Sequence, residues 1–571
     1  MDKPGARHWL DRYGTGYHAW VRDGAGFARP CGLVEIRFDA DGRYFGGRAD
    51  VSALLTSGVS TRLPDKELQH HVLLAFTLLR LRHCLLGART ELRTLEVEPW
   101  FAVDIPTSAD AAIRDAGAAL QFLDSAIDGV SDVGDFYVHS QNVARVVLPG
   151  EALARVFVLP TGAEGSTRRR VHFLFVMAHE IVDGLACMSW MADFVRIVNL
   201  PTGEIRQRVE TAIRPDSIRA RLPPAQEDLY TPVAPTKART RWYWAITIVL
   251  RHVRKDMRAA FPNPLRRAAP LSEAKPFPPK YLTALDYSET PPLNTFFHRL
   301  QLSPAASRRL YRLCREANAS VGAGGFVLVA MVMMALHESK YPDEAEAARR
   351  PFVGSFPLNP RPFFGVGGFL EGVMLAFSRD GVVLPFLPSR LDLEGRFRLL
   401  VRQASRQLAG YQKRERPRSR AEAAAYMGLN GAGRLVASNY IDGVERLREI
   451  LPPDQRDRLP SPQGEYGVPV PGVLGSTCGV SSIGRVDWSA ARFDLDADPG
   501  EGVIASVEHL HSGVRVRDNE FLVATWSEDG VITAGVSFDG NMIDESQAHG
   551  WAEKMKSLLE VGDGPDPRSR L

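Results

Sequence analysis

The chain has 571 residues, which asks for more than one core and, at ordinary domain size, for about two to four domains. Apolar residues make up 45% and charged residues 24%, as in globular proteins, and 70 Lys and Arg against 67 Asp and Glu leave +3, too balanced for wholesale nucleic-acid binding. Five cysteines (Cys31, Cys84, Cys187, Cys314, Cys478) are scattered, odd in number and form no Cys-x-x-Cys, which points to a reducing, cytoplasmic setting without disulfides or bound metal.

The opening MDKPGARHWLDRYGTG is polar and lacks the apolar run of a secretory leader. A helix is expected around Leu68–Leu86, then an alternating segment, DFYVHSQNVARVVLP, over 135–149. After the polar run GSTRRR comes VHFLFVMA, Val171–Ala178, short, β-branched and aromatic, which reads as a buried strand. HEIVDG, His179–Gly184, follows it. Beyond lies LACMSWMADFVRIV, where Leu185, Met188, Trp190, Met191, Phe194 and Val195 fall largely on one helical face. Asp183 sits where an N-cap belongs, and Gly184 is suited to a sharp turn. A histidine therefore ends a strand, and a carboxylate four residues on begins a helix. That places a candidate general base on a rigid element.

The first half is expected to close near Leu200. Residues 201–280 are rich in Pro and Arg, as a linker or excursion would be. Within them RTRWYWAITIVLRHVRKDMR, 239–258, fits a helix packed across the two halves better than an interfacial membrane helix. The second half spans 281–561. Its longest apolar run, Val321–Leu336, is 16 residues with three glycines, short of the roughly 20 that cross a bilayer, so a core helix and no stable membrane insertion are expected. Short strands around Pro351–Phe377 and a helix near Leu391–Arg414 follow. Strands are expected at Val503–Leu510, Phe521–Trp526 and Val531–Ser537, then a closing helix over 545–561 and a flexible tail, 562–571. Alternating helices and strands in both halves imply an α/β protein.

Other chemistries find no footing. There is no G-x-S-x-G elbow and no phosphate-binding GxxxxGK[ST], and in HEIVD an aspartate stands where a zincin needs its second histidine. GAGGF (Gly322–Phe326) and GVGGF (Gly365–Phe369) lack the full dinucleotide fingerprint and suit turns or close packing.

HEIVDG resembles the HxxxDG signature of the chloramphenicol-acetyltransferase-like superfamily, which includes alcohol acetyltransferases and nonribosomal-peptide condensation domains. Many members read HHxxxDG with the second histidine catalytic; here Ala178 replaces the first and His179 matches the second. LLAFTLLRLRHCLLGART, with His83 and Arg89, is similar to the family's first long helix, and Ala319–Tyr341 to the helix opening its second half. SFPLNPRP, 355–362, resembles the "NLRP" segment, and STCGVSSIGRVD, 476–487, the "SNxGrvd" strand. The DFGWG of the BAHD plant acyltransferases is missing, which turns the resemblance toward the alcohol-acetyltransferase and condensation-like branches.

The resemblance implies two chloramphenicol-acetyltransferase-like halves with an active-site tunnel between them, in a monomer. His179 would be the general base, and Asp183 a structural residue turned from substrate toward Arg361. Gly184 would serve the turn or the close approach of the donor. Ser481 or Ser482, with Thr477 a more distant choice, would donate to the oxyanion. No bound cofactor is implied; an acyl-CoA, acetyl-CoA first, would be co-substrate and a small apolar alcohol such as a terpenoid or polyketide the acceptor. Alternatives are a condensation-type ester or amide synthase fed by a carrier-protein thioester, and a non-catalytic binding module of the same fold.

Overall fold

A computed structural model describes residues 9–93, 98–124, 128–159, 167–233, 236–253, 259–378, 381–412, 426–428, 431–450 and 475–560. Two large sheets organise it. In the first, Val51–Thr61 lies between Val503–Val514 and Arg168–Met177, followed by Ala154–Leu159 and Leu120–Phe122. All pairs are antiparallel except the last. The second has the order Val382–Leu384, Phe352–Ser355, Cys478–Val486, Phe521–Glu528, Val531–Asp539, Thr295–Gln301. There Cys478–Val486 runs parallel to both of its neighbours.

Helices cover each sheet. Asp65–Arg82 begins with Asp65 and Glu67 and ends with Arg80 and Arg82, charges that match the helix dipole at both ends. It joins Gly184–Val198 in the first core, where Phe76, Phe175, Trp190 and Phe194 are fully buried. In the second core Val321–Lys340, capped by the Ser320 hydroxyl accepting from Ala323 N at 3.2 Å, packs with Leu393–Gln412 and Glu545–Ser557. By length and composition Val321–Lys340 could cross a bilayer, but 78% of its most apolar stretch is buried inside the protein.

Several expectations change in detail. The alternating segment begins inside a helix, Val133–Ser140, because Asp132 caps the amides of Gly134 at 2.8 Å and Asp135 at 3.2 Å. Val503–Val514 does not stay in the half its position suggested: it pairs along its length with Val51–Thr61 and completes the first sheet. A strand's pattern fixes which face is buried but not which sheet receives it. Residues 201–280, expected as a linker or excursion, carry helices Thr202–Ala212 and Lys237–Val253, the second on the segment where a packed helix is expected. The tail 562–571 lies outside the described residues.

Candidate active site

His179 follows the end of the central strand Arg168–Met177, whose last five residues are buried. Ile181 and Val182 are fully buried, so the turn after His179 is pinned by its own apolar side chains. The imidazole is half-buried and lies flat on Phe38, ring centroids 4.0 Å apart and planes 11° from parallel. Phe38 belongs to the helix Leu33–Tyr44, and the Arg517 guanidinium stands 5.5 Å from the same ring. Arg517 is itself held by Asp41 at 2.8 Å. Nδ1 of His179 is buried with no hydrogen-bond partner among the described residues. Burial pushes the ring's pKa below the usual histidine value; the backbone carbonyls at 179 and 182 and the Asp183 carboxylate oppose this, and Arg517 adds to it. The resting ring is neutral, the form that can accept a proton.

Asp183 is the N-cap of Gly184–Val198. Its Oδ1 accepts from Leu185 N at 3.1 Å and Ala186 N at 3.0 Å. Its Oδ2 accepts from Met374 N at 3.1 Å and pairs with Nη2 of Arg361 at 2.8 Å. Both side chains are buried, Arg361 completely. Arg361 also donates to the Gly372 carbonyl at 3.1 Å. The loop bearing His179 is thus fixed by a carboxylate that reaches into the second half of the chain.

A second clamp joins the same elements. Glu371 bonds His83 Nδ1 at 2.7 Å with one oxygen and accepts from Trp190 Nε1 at 3.1 Å with the other. His83 Nε2 meets Asp193 at 3.1 Å. Burial alone would lower the His83 pKa, but the Asp193 and Glu371 carboxylates outweigh it and raise the pKa above the ordinary value. Glu180 behaves oppositely. It is fully buried, accepts from the Thr90 hydroxyl at 2.7 Å, and desolvation with Asp39 nearby holds its carboxyl well above the usual range. Cys187 is an inert core thiol, pushed up to about 12 by burial and the nearby Asp183 carboxylate.

Gly184 is the first helical residue and exposed; a Cβ there would meet nothing within 4 Å. The turn itself therefore does not require glycine, and of the two expected roles the close approach of the donor is left. The open space beside it remains. Ser481 and Ser482 lie on Cys478–Val486 opposite Ala524 and Thr525. Consecutive strand residues face opposite sides, so only one can look at a given centre. Ser482 is exposed and lines a cavity of ≈ 870 Å³ with Gly322 and Thr525, whereas Ser481, on the opposite face, does not line it. Among the described residues no hydrogen bond joins either serine to His179, and His179 does not line that cavity. Thr477 is committed elsewhere: buried, it donates to the Phe261 carbonyl at 3.0 Å. The run of small residues has a local cause in Gly484, whose φ of 90° sits at a strand bulge.

The cavity is lined largely by apolar and aromatic side chains, among them Phe326, Phe356, Leu358, Leu408 and Tyr411. Its charged lining is Arg485, Asp487 and Asp529. Pro362 and Phe363 also line it, next in sequence to the Arg361 that holds Asp183. Sequence reading missed Phe38, Arg517 and Glu371. For Glu371 the signal was present, because the buried-helix pattern around Trp190 and His83 left two polar donors to be satisfied. No group of three or more His, Cys, Asp or Glu side chains suited to a metal occurs among the described residues.

These two helix-covered sheets, joined by a crossover strand, form a two-halved fold that solved acyltransferase and condensation-domain structures share. The chain is similar over 95% of its length, and 97% of the other, to the TRI3 trichothecene 15-O-acetyltransferase of Fusarium sporotrichioides, at TM-score 0.62 and 12% identity. The condensation domain of the monacolin K polyketide synthase MokA covers 95% of this chain and 97% of its own, at 0.53 and 9%. The first condensation domain of the CDA synthetase covers 94% and 96%, at 0.51 and 12%. No family model and no curated protein sequence matches the chain. At such identities the likeness shows the fold.

Proposed function

We propose that the protein is an acyl-CoA-dependent O-acyltransferase, acetyl-CoA its most suitable donor, that esterifies the hydroxyl of a small apolar metabolite. The observation that carries this is His179: a neutral imidazole at a strand end, oriented by a flat aromatic contact and by a loop locked through Asp183 and Arg361. With Nδ1 buried, Nε2 is the nitrogen left for substrate. It takes the proton as the acceptor oxygen attacks the thioester carbonyl. The tetrahedral intermediate then collapses, the carbon–sulfur bond breaks, and the imidazolium returns the proton to the departing thiolate. Ser481 or Ser482 is the candidate donor to the oxyanion.

An apolar acceptor suits the aromatic surface that His179 itself meets, the face of Phe38. The donor would enter past the open face of Gly184. The test is release of free thiol from acetyl-CoA with a panel of lipophilic alcohols. Alcohol-dependent release supports the reading. Turnover confined to carrier-bound thioesters would replace it with the condensation-type alternative, and no turnover of either donor would leave a binding module.

A further inference from the structure

The helix Lys237–Val253 has two unlike faces. One is anchored. Trp244 and Thr247 are buried, Trp244 within the first core, and Arg434 stacks 4.1 Å from the Tyr243 ring while donating to the Thr247 hydroxyl at 2.6 Å. The other face carries Ala238, Trp242, Ala245 and Val249, all exposed and spaced so that they form one stripe. Trp242 is 69% exposed and Val249 56%. A solvent-facing stripe on a globular protein is ordinarily polar, and this one is not.

Charge singles out what would cover it. Lys237, Arg239 and Arg241 flank the stripe and are exposed, and among the described residues none of them pairs with a carboxylate. The sequence contains no Asp or Glu between Asp228 and Asp256, while Arg251, Arg254 and Lys255 extend the cationic run. Tryptophan between arginines is the composition of a helix lying in the headgroup region, its ring at the boundary and its cations against lipid phosphates. The helix cannot span, because its other face belongs to the core.

We infer that Lys237–Val253 docks the protein peripherally on an anionic lipid surface, with Trp242 and Val249 dipping below the headgroups. The inference stands apart from acyl transfer and is read without substrate. Both the packed face and the lipid-facing face are used, so the helix meets the core and the membrane at once.

The full chain is co-sedimented with vesicles of phosphatidylcholine alone and of phosphatidylcholine mixed with phosphatidylserine. Binding to the mixed vesicles is expected, weakened by added salt as exposed charges are screened. Each basic residue at an anionic surface is worth about a five-fold change in partitioning (~1 kcal/mol), so Lys237→Gln with Arg239→Gln and Arg241→Gln should weaken binding about a hundred-fold. Trp242→Ser with Val249→Asp should abolish it at an unchanged melting temperature, and Trp242→Phe should retain it. No sedimentation with mixed vesicles overturns the inference. So does equal sedimentation of the wild type and the Trp242→Ser, Val249→Asp variant.

Discussion

Replacing Asp183 by Asn removes one charge and leaves every atom count nearly unchanged, so its cost can be worked from the contacts. Oδ1 caps two helix amides, and Oδ2 faces two donors, Met374 N and the Arg361 guanidinium. An Asn that keeps its oxygen on the cap must turn its NH2 toward both of those donors. The buried Met374 amide then goes unsatisfied, about 1–3 kcal/mol, and the fully buried Arg361 loses its counter-charge, about 3–5 kcal/mol for one broken partner. These overlap at one oxygen, so a total of about 3–5 kcal/mol is expected rather than their sum. Urea unfolding followed by near-ultraviolet ellipticity measures it. Adding Arg361→Met should recover part of the loss, because the orphaned charge leaves with the arginine, and the two substitutions should couple by at least about 1 kcal/mol. An Asp183→Asn protein within about 0.5 kcal/mol of wild type, folded and inactive, would refute this and place Asp183 directly in proton transfer.

Gly184→Ala should raise stability by up to about 1 kcal/mol, since the site is helical and open, while the KM for the acyl donor rises; thermal melts and steady-state kinetics separate the two. Glu180→Gln should be near neutral at low pH, because the native carboxyl is protonated in the fold. Its folded pKa is raised, so the wild type loses stability as pH rises from the unfolded carboxyl value toward the folded one, and the Gln variant should not. His83 also has a raised folded pKa. Its contribution is full below the unfolded histidine value of about 6.5 and is lost as pH climbs through the folded value, a slope that His83→Gln should erase in melts across that range.

The HEIVDG unit was legible because its context is local: a β-branched strand, a cap and an apolar helical stripe stand within one short stretch. Arg361 could be named from the resemblance of PLNPRP, and the structure sets it 2.8 Å from Asp183. Phe38 and Arg517 were not legible. Leu33–Tyr44 buries Glu35, Asp39 and Asp41 through ion pairs with Arg29, Arg43 and Arg517, so it shows no clean apolar stripe. Arg517 follows the crossover strand, whose sheet no periodicity reveals. The serine pair could be located on a strand from its sequence, but which serine faces inward is a register matter set by the partner strand.

The central claim, that His179 is the base, is met most directly by turnover of His179→Ala with acetyl-CoA and the best alcohol of the panel. Loss of a positioned general base lowers the rate by about 10²–10⁴. The account predicts a loss of that size with the thermal transition largely kept, because the strand, the cap and the Arg361 pair all remain. Turnover near that of the wild type would contradict it.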